Sequence, residues 1–281
     1  MARENRALPD DLIYQLTLLC GRCKEIFLAE SMLLELEPPW VVVGNMHGYY
    51  DQLLRLFKRC GDLPDTRYLF LGGYVDKGRR SLDTIVLLLL RKTQYPDDIV
   101  LLRSNHEEAS MTRIYGFYDE CKRRANVKLW KCFMEAFNCM PACALIREKI
   151  FCVCGGLSPE LTHFDQIRQL TRPTVVPDSG LLCDLVWSDP HAESGWVEND
   201  RGVSYCFGPD VVQKFVESMG VDLIVRSHQV AIDGYEFAAD RKLVTIWSIY
   251  NFKGEIGNPA AIMRVSEDLE VKFEVFDRHS P

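Results

Sequence analysis

Residues 68–92 read YLFLGGYVDKGRRSLDTIVLLLLRK. The apolar run YLFLG stops at a glycine pair, a polar loop follows, and SLDTIVLLLLRK then repeats its apolar residues at helical spacing. Outward from this stretch the same alternation continues. WVVVG (40–44) and DIVLLRS (98–104) are further short apolar runs, and YDQLLRLFKRC (50–60) is a second amphipathic helix pattern. Short buried runs separated by periodic helices are β-α-β units with crossovers, which predicts an α/β layer fold.

Upstream, DLIYQLTLLCGRCKEIFLAE (11–30) is helical in pattern, and the helix is expected to continue to Glu37, with Met1 through Asp10 as a frayed lead-in. Residues 113–137 are helical and rich in aromatics. Beyond KIFCVC (149–154) the runs shorten and end in hairpin-like segments, GYEFAADRKLVTIWS (234–248), AAIMRVS (260–266) and LEVKFEVF (269–276). The predicted architecture is a β-sandwich with helices on its outer faces, more parallel in the first half and antiparallel in the last third. No repeat, low-complexity tract or Gly/Ser linker interrupts the 281 residues, so a single domain over 1–281 is expected.

A net charge of −7 and a pI near 5.5 argue against nucleic acid as a partner, and Lys122, Arg123 and Arg124 read as a solvated helix end. The eleven cysteines are odd in number and several lie inside apolar runs. With no signal peptide at the start, a reducing cytoplasm or nucleus is the expected compartment. Cys20 and Cys23 form a C-x-x-C without a second pair spaced for zinc, and are read as core. LDTIVLLLL (82–90) is too short to span a membrane, and no membrane partner is expected.

Six apolar runs end in polar loops: GNMHG (44–48), GGYVDKG (72–78), SNHEE (104–108), CGGLSP (154–159), RSHQ (226–229) and SIYNFKGE (248–255). Loops beyond the carboxyl ends of strands can converge while the sheet holds them, so one shared site is expected. His47, His106 and His228 all fall there, whereas His163, His191 and His279 do not and are assigned to the surface.

In order and approximate spacing these motifs, with WSDP (187–190) and RGVSYCFG (201–208), resemble the two-metal phosphoprotein phosphatases. Flanking text such as IFLAESMLLELE and RIYGFYDECKRR is most similar to the type 1 serine/threonine catalytic subunit. The resemblance implies the calcineurin-like metallophosphoesterase fold and, by position, a set of roles. The metal-ligand positions are Asn45, His47, Gly73, Asn105, Cys154 and His228. The acid is His106, oriented by Asp76, and phosphate is held by Lys77 and Arg201.

The departures from the family pattern are concentrated in those positions. Gly73 stands where the family has the aspartate that bridges both metals, and Asn45 and Cys154 replace an aspartate and a histidine. Lys77 replaces an arginine that grips phosphate bidentately, and Phe252 lacks a tyrosine hydroxyl. Two dications about 3.5 Å apart repel by roughly 19 kcal/mol at an effective dielectric of 20, and carboxylate charge must offset this. The expectation is therefore a pseudophosphatase with no cofactor, or with a single zinc-like divalent ion on Asn105, Cys154 and His228. The alternative is an active hydrolase of phosphoserine and phosphothreonine with two manganese- or iron-class ions. The resemblance also implies a docking channel for regulatory proteins bearing a basic-Val-x-Phe peptide, with phosphoproteins as further partners. Its positions here are Ile150, Leu223, Phe237 and Arg241, followed by Val244, Leu269, Val271 and Phe273. Glu270 adds a negative charge at its rim.

Overall fold

The computed structural model describes residues 6–280. The chain opens with helix α1 (Asp10–Ala29), strand β1 (Leu33–Leu36) and strand β2 (Trp40–Val43). The predicted crossovers follow as α2 (Tyr50–Cys60), β3 (Tyr68–Phe70), α3 (Ser81–Gln94) and β4 (Ile99–Leu101). Three helices, α4 (Ala109–Tyr115), α5 (Phe117–Arg124) and α6 (Val127–Phe137), lead to the hairpin β5 (Cys143–Ile146) and β6 (Ile150–Val153). Then come α7 (Asp165–Arg168), α8 (Leu181–Trp187), β7 (Asp189–Pro190), β8 (Trp196–Glu198) and β9 (Tyr205–Phe207). The last part is α9 (Pro209–Met219), β10 (Leu223–Arg226), β11 (Tyr235–Ala238), β12 (Leu243–Ile246), β13 (Ala260–Val265) and β14 (Val271–Phe276).

Two sheets face each other, one of order β1-β5-β6-β10-β12-β11 and one of order β14-β13-β2-β3-β4. Between them lies an apolar layer that includes Trp40, Val42, Leu69, Val100, Val225, Val244 and Met263. Outside the five-stranded sheet, α1, α2, α3, α5 and α6 cover a second layer, and α8 and α9 cover the outer face of the six-stranded sheet. Because both faces of each sheet are covered, β2, β3 and β4 are buried at every residue and read as continuous apolar runs. The expected sandwich flanked by helices is the observed fold.

Four details differ from the sequence reading. The helix does not reach Glu37: it ends at Ala29, and Leu33–Leu36 pair in parallel with Cys143–Ile146. A strand puts Leu33 in the outer layer and Leu34 in the inter-sheet layer, so successive leucines fill two cores that a helix could not serve together. The last third is mixed, since β10 runs parallel to both β6 and β12, with α9 supplying the crossover return. Arg124 is not solvated: it is buried and paired with Glu120 at 2.9 Å and Asp83 at 2.8 Å, while Lys122 and Arg123 are exposed. Of the expected frayed lead-in, residues 1–5 lie outside the described residues, Leu8 donates its N–H to Arg124 O at 2.6 Å, and Asp10 already begins α1.

All eleven cysteines are free thiols. Cys20 and Cys23 sit in the helix-covered layer, where burial pushes both thiols up, Cys23 to about 12, so they serve as core. No helix among the described residues is long and apolar enough to cross a membrane.

Candidate functional site

The six loops do meet, at the carboxyl ends of strands from both sheets. The Met46 and His47 N–H groups donate to Gly73 O at 2.9 and 2.8 Å, and Gly78 N donates to His47 O at 2.8 Å. Ser227 N donates to Cys154 O at 3.1 Å, the Ser227 hydroxyl donates to Asn45 Oδ1, and Gly44 N donates to Ser248 Oγ at 2.8 Å. Glu107, wholly buried, accepts from the N–H groups of Gly73 and Tyr74, both at 2.9 Å, and from Ser104 N and Oγ. Burial raises its pKa, opposed by those hydrogen bonds.

Position 73 is the sharpest feature. Gly73 has φ of 70°, a region costly for most side chains, and a Cβ built there would lie 1.8 Å from Asn45 Nδ2. The Asn45 amide therefore occupies the space that a residue-73 side chain would need. Its Oδ1 is itself engaged, accepting from His228 N at 2.8 Å and from the Ser227 hydroxyl.

His47 and His106 are buried, and His228 is half-buried. His47 Nδ1 donates to Val75 O at 2.9 Å, which leaves Nε2 as the unprotonated nitrogen. Burial, with the charges of Lys77 for His47 and of Lys77 and Arg201 for His106, holds both imidazoles well below their ordinary pKa. His228 is held down by burial, and its Nε2 is buried without a hydrogen-bond partner. The rings of His47 and His106 meet edge-on with centroids 4.6 Å apart. The expected orienting contact is present: His106 Nδ1 lies 2.7 Å from Asp76 Oδ2, and Asp76 Oδ1 accepts from Phe117 N at 2.9 Å. Burial lifts the Asp76 carboxyl to about 7 and keeps the imidazole neutral, so near neutral pH this contact is a hydrogen bond more than an ion pair.

Lys77 stands at the mouth with its Nζ 5.8 Å from the centroid of Tyr115 and 5.9 Å from that of Phe252. Crowding by neighbouring atoms, then the Arg201 charge, brings its pKa down to about 8, although the residue keeps an exposed surface. At neutral pH the exposed ammonium remains mostly charged. Arg201 Nε donates to Asp189 Oδ2 at 2.7 Å, and the buried Arg226 donates to Asp189 Oδ1 at 2.7 Å. Burial works against the Asp189 charge, but Arg226 and Arg201 bring its carboxyl down to about 2. Glu107, Asp189, Arg226 and Ser227 were not singled out from the sequence, though SNHEE, WSDP and RSHQ contain them. Nothing in a motif's text distinguishes a carboxylate that faces a ligand from one that braces the loop behind it.

A model of the calcineurin-like phosphoesterases matches residues 39–231. The chain belongs to that family. A protein serine/threonine phosphatase from Saccharomyces cerevisiae, described as similar to human phosphatase PP5, superimposes on this family member with a TM-score of 0.90 at 28% identity. The match covers 98% of this chain and 91% of that one. A cold-active protein-tyrosine phosphatase of a psychrophilic Shewanella matches at a TM-score of 0.56 and 14% identity, over 96% of this chain and 84% of that one, a likeness of fold alone.

Calcineurin-like phosphoesterases use divalent metals, and the residues here can be tested against a two-metal centre. Gly73 offers no ligand, and Asn45 is uncharged with its oxygen already engaged. Among the described residues no three His, Cys, Asp or Glu side chains come together as metal ligands. Asn105 Oδ1 and His228 Nε2 are buried polar atoms without hydrogen-bond partners, which is a remnant of a cation position rather than a centre for two ions. The donor set does not fit the pair of metals.

The positions assigned to the docking channel gather elsewhere. Ile150 on β6, Leu223 on β10, Phe237 on β11 and Val244 on β12 join Leu269, Val271 and Phe273 at the margin of the inter-sheet layer. Strands β11 and β14 are each an edge strand of their sheet. Phe273 stacks on Tyr235 at 4.1 Å and meets Phe237 edge-on at 5.5 Å, while the Arg241 guanidinium covers the Phe237 ring at 3.9 Å. Glu270 at the rim is exposed and lies 3.7 Å from the Lys272 ammonium.

Proposed function

We propose that this phosphoesterase-family chain is a pseudophosphatase, nearest in its motifs to the type 1 serine/threonine catalytic subunit, that works in the cytoplasm or nucleus by binding regulatory proteins and phosphorylated segments. One observation carries the reading: the Asn45 amide fills the space beside Gly73, so the place of a bridging carboxylate is occupied by a neutral, hydrogen-bonded group. The surrounding loops remain fully braced by Glu107 and Asp189, which supports a retained scaffold. Metal analysis of the purified protein, alongside turnover of a small aryl phosphate, is the direct test. Fewer than two ions per chain and no turnover support the reading, and two ions with enzymatic turnover overturn it. The second reading, a single zinc-class ion, draws support from the orphaned Asn105 Oδ1 and His228 Nε2, and predicts one ion per chain.

Phosphate remains a suitable ligand. Lys77 and Arg201 act electrostatically on one another and on His106, and burial raises the nearby Asp76 carboxyl to about 7. Titrating inorganic phosphate to millimolar concentration should shift the imidazole resonances of His106, more weakly at high salt. An unmoved His106 removes phosphate binding from the proposal.

Docking needs no metal. Two edge strands flank a ring-lined seam, and an added strand gains backbone hydrogen bonds there while its alternate side chains enter the seam. A labelled Lys-Val-x-Phe peptide should bind, and Phe237→Ala should lose about 1–3 kcal/mol of binding energy. Glu270 should favour the basic residue, and raising salt should weaken binding, with Lys272 blunting the effect. Equal binding by wild type and Phe237→Ala, or none by either while both stay folded, counts against this use of the seam.

A further inference from the structure

The protein carries a net charge of −7, yet its positive charge is concentrated beside the site. A cleft of about 520 Å³ is lined by Lys77, Arg79, Arg80 and Lys253 against one carboxylate, Asp51. A second cleft of about 360 Å³ is lined by Arg55, Lys58, Arg59 and Arg278 against Asp277. Tyr250 lines both, and its hydroxyl accepts from Arg55 Nη1 at 2.9 Å, so the two clefts adjoin. Arg80 is committed to Asp51 and Asp83, and Arg59 lies 3.8 Å from Glu274. The other six cations make no ion pair within 4 Å with a carboxylate of the described residues.

We propose that these adjoining clefts form one basic groove that holds an acidic peptide segment directly next to a phosphorylated residue. The inference rests on the phosphate-binding reading of the site and extends it to the class of partner. Lys77 belongs both to the site and to the first cleft, which places the phosphate at one end of the groove. From there the groove runs along α2, whose eleven residues rise about 16 Å, the length of about five extended residues. Arg55 and Lys58 are three residues apart on that helix and share a face, so successive acidic side chains would meet successive cations. A short acidic segment suits this geometry. A nucleic acid would carry its phosphates far past the groove onto a surface whose remaining charge is negative, and a flat bilayer does not enter a cleft.

The experiment compares two labelled peptides, phosphoserine followed by five glutamates and phosphoserine followed by five glutamines, by fluorescence anisotropy. The glutamate peptide should bind wild type at least about tenfold more tightly at low salt, and the advantage should shrink as the ionic strength approaches about 1 M. The exposed double variant Lys58→Glu, Arg278→Glu should abolish the advantage and leave the glutamine peptide's affinity unchanged. Equal affinity of the two peptides for wild type overturns the groove while the phosphate site stands, and failure of both overturns the two together. The salt dependence of wild type provides the same decision without any variant. Tighter binding of a single-stranded RNA oligomer, or of vesicles rich in anionic lipid, overturns the assignment to a peptide.

Discussion

Gly73→Asp, introduced alone, should destabilise the protein by about 2–4 kcal/mol and restore no phosphatase activity. The new Cβ would start 1.8 Å from Asn45 Nδ2. Relief requires the Asn45 amide to swing away from the Ser227 hydroxyl and the His228 N–H. Overpacking of this kind costs about 1–3 kcal/mol, and the positive φ adds about 1 kcal/mol even for aspartate, which tolerates that region better than most. Urea midpoints of the wild type and the variant measure the loss directly. A variant as stable as the wild type would mean that the Asn45 amide yields easily and does not keep a residue-73 side chain out.

The triple change Gly73→Asp, Asn45→Asp, Cys154→His should behave differently in kind. It places two carboxylates side by side, with the Glu107 carboxyl buried behind them. Without divalent metal its stability should fall below that of the single variant. With manganese at a hundred times its dissociation constant, stability should rise by about 2.7 kcal/mol, by linkage alone. Aryl phosphate turnover should appear with the metal, whereas the wild type should stay far beneath the roughly 1–1000 per second usual for enzymes. A wild type whose melting temperature rises with manganese as steeply as that of the triple variant would contradict the reading.

The fold was legible because parallel strands covered on both faces are continuously apolar, as YLFLG and WVVVG are, and because the helices between them keep a 3.6-residue period. The strand at Leu33–Leu36 was not legible, since LLEL following a helix carries no local signal that two leucines serve two cores. The site was legible in its loop positions, His106 beside Asp76 above all. What position 73 contains could be read, but not what fills the room it leaves: Asn45 and Gly73 are separate in sequence, and only the fold brings the amide against the glycine. The braces escaped for a related reason. Asp189 looks like any acid before a proline, and its meaning comes from Arg226, thirty-seven residues away.

Asp189→Asn should cost about 3–5 kcal/mol, because it leaves the Arg226 guanidinium, fully buried, without a counter-charge. The amide keeps the shape and can still accept hydrogen bonds, so the loss reports charge more than packing. The double variant Asp189→Asn, Arg226→Met removes the stranded cation and should regain part of the loss, which a simple packing defect would not allow. Acid provides an independent check with a definite sign. The folded carboxyl titrates near 2, below the roughly 3.9 of an unfolded aspartate, so ionised Asp189 stabilises the fold fully above about pH 4. That contribution, about 2–3 kcal/mol, is lost as the pH falls from 4 through 2. The wild type should therefore lose stability over that window more steeply than Asp189→Asn, and the two curves should converge at its acid end. Parallel curves would show that the Asp189 carboxylate does not carry the buried guanidinium. The bracing of the 226–229 loop, and with it the position of His228, would then have to come from the Gly155 carbonyl and Gln229, which also accept from Arg226.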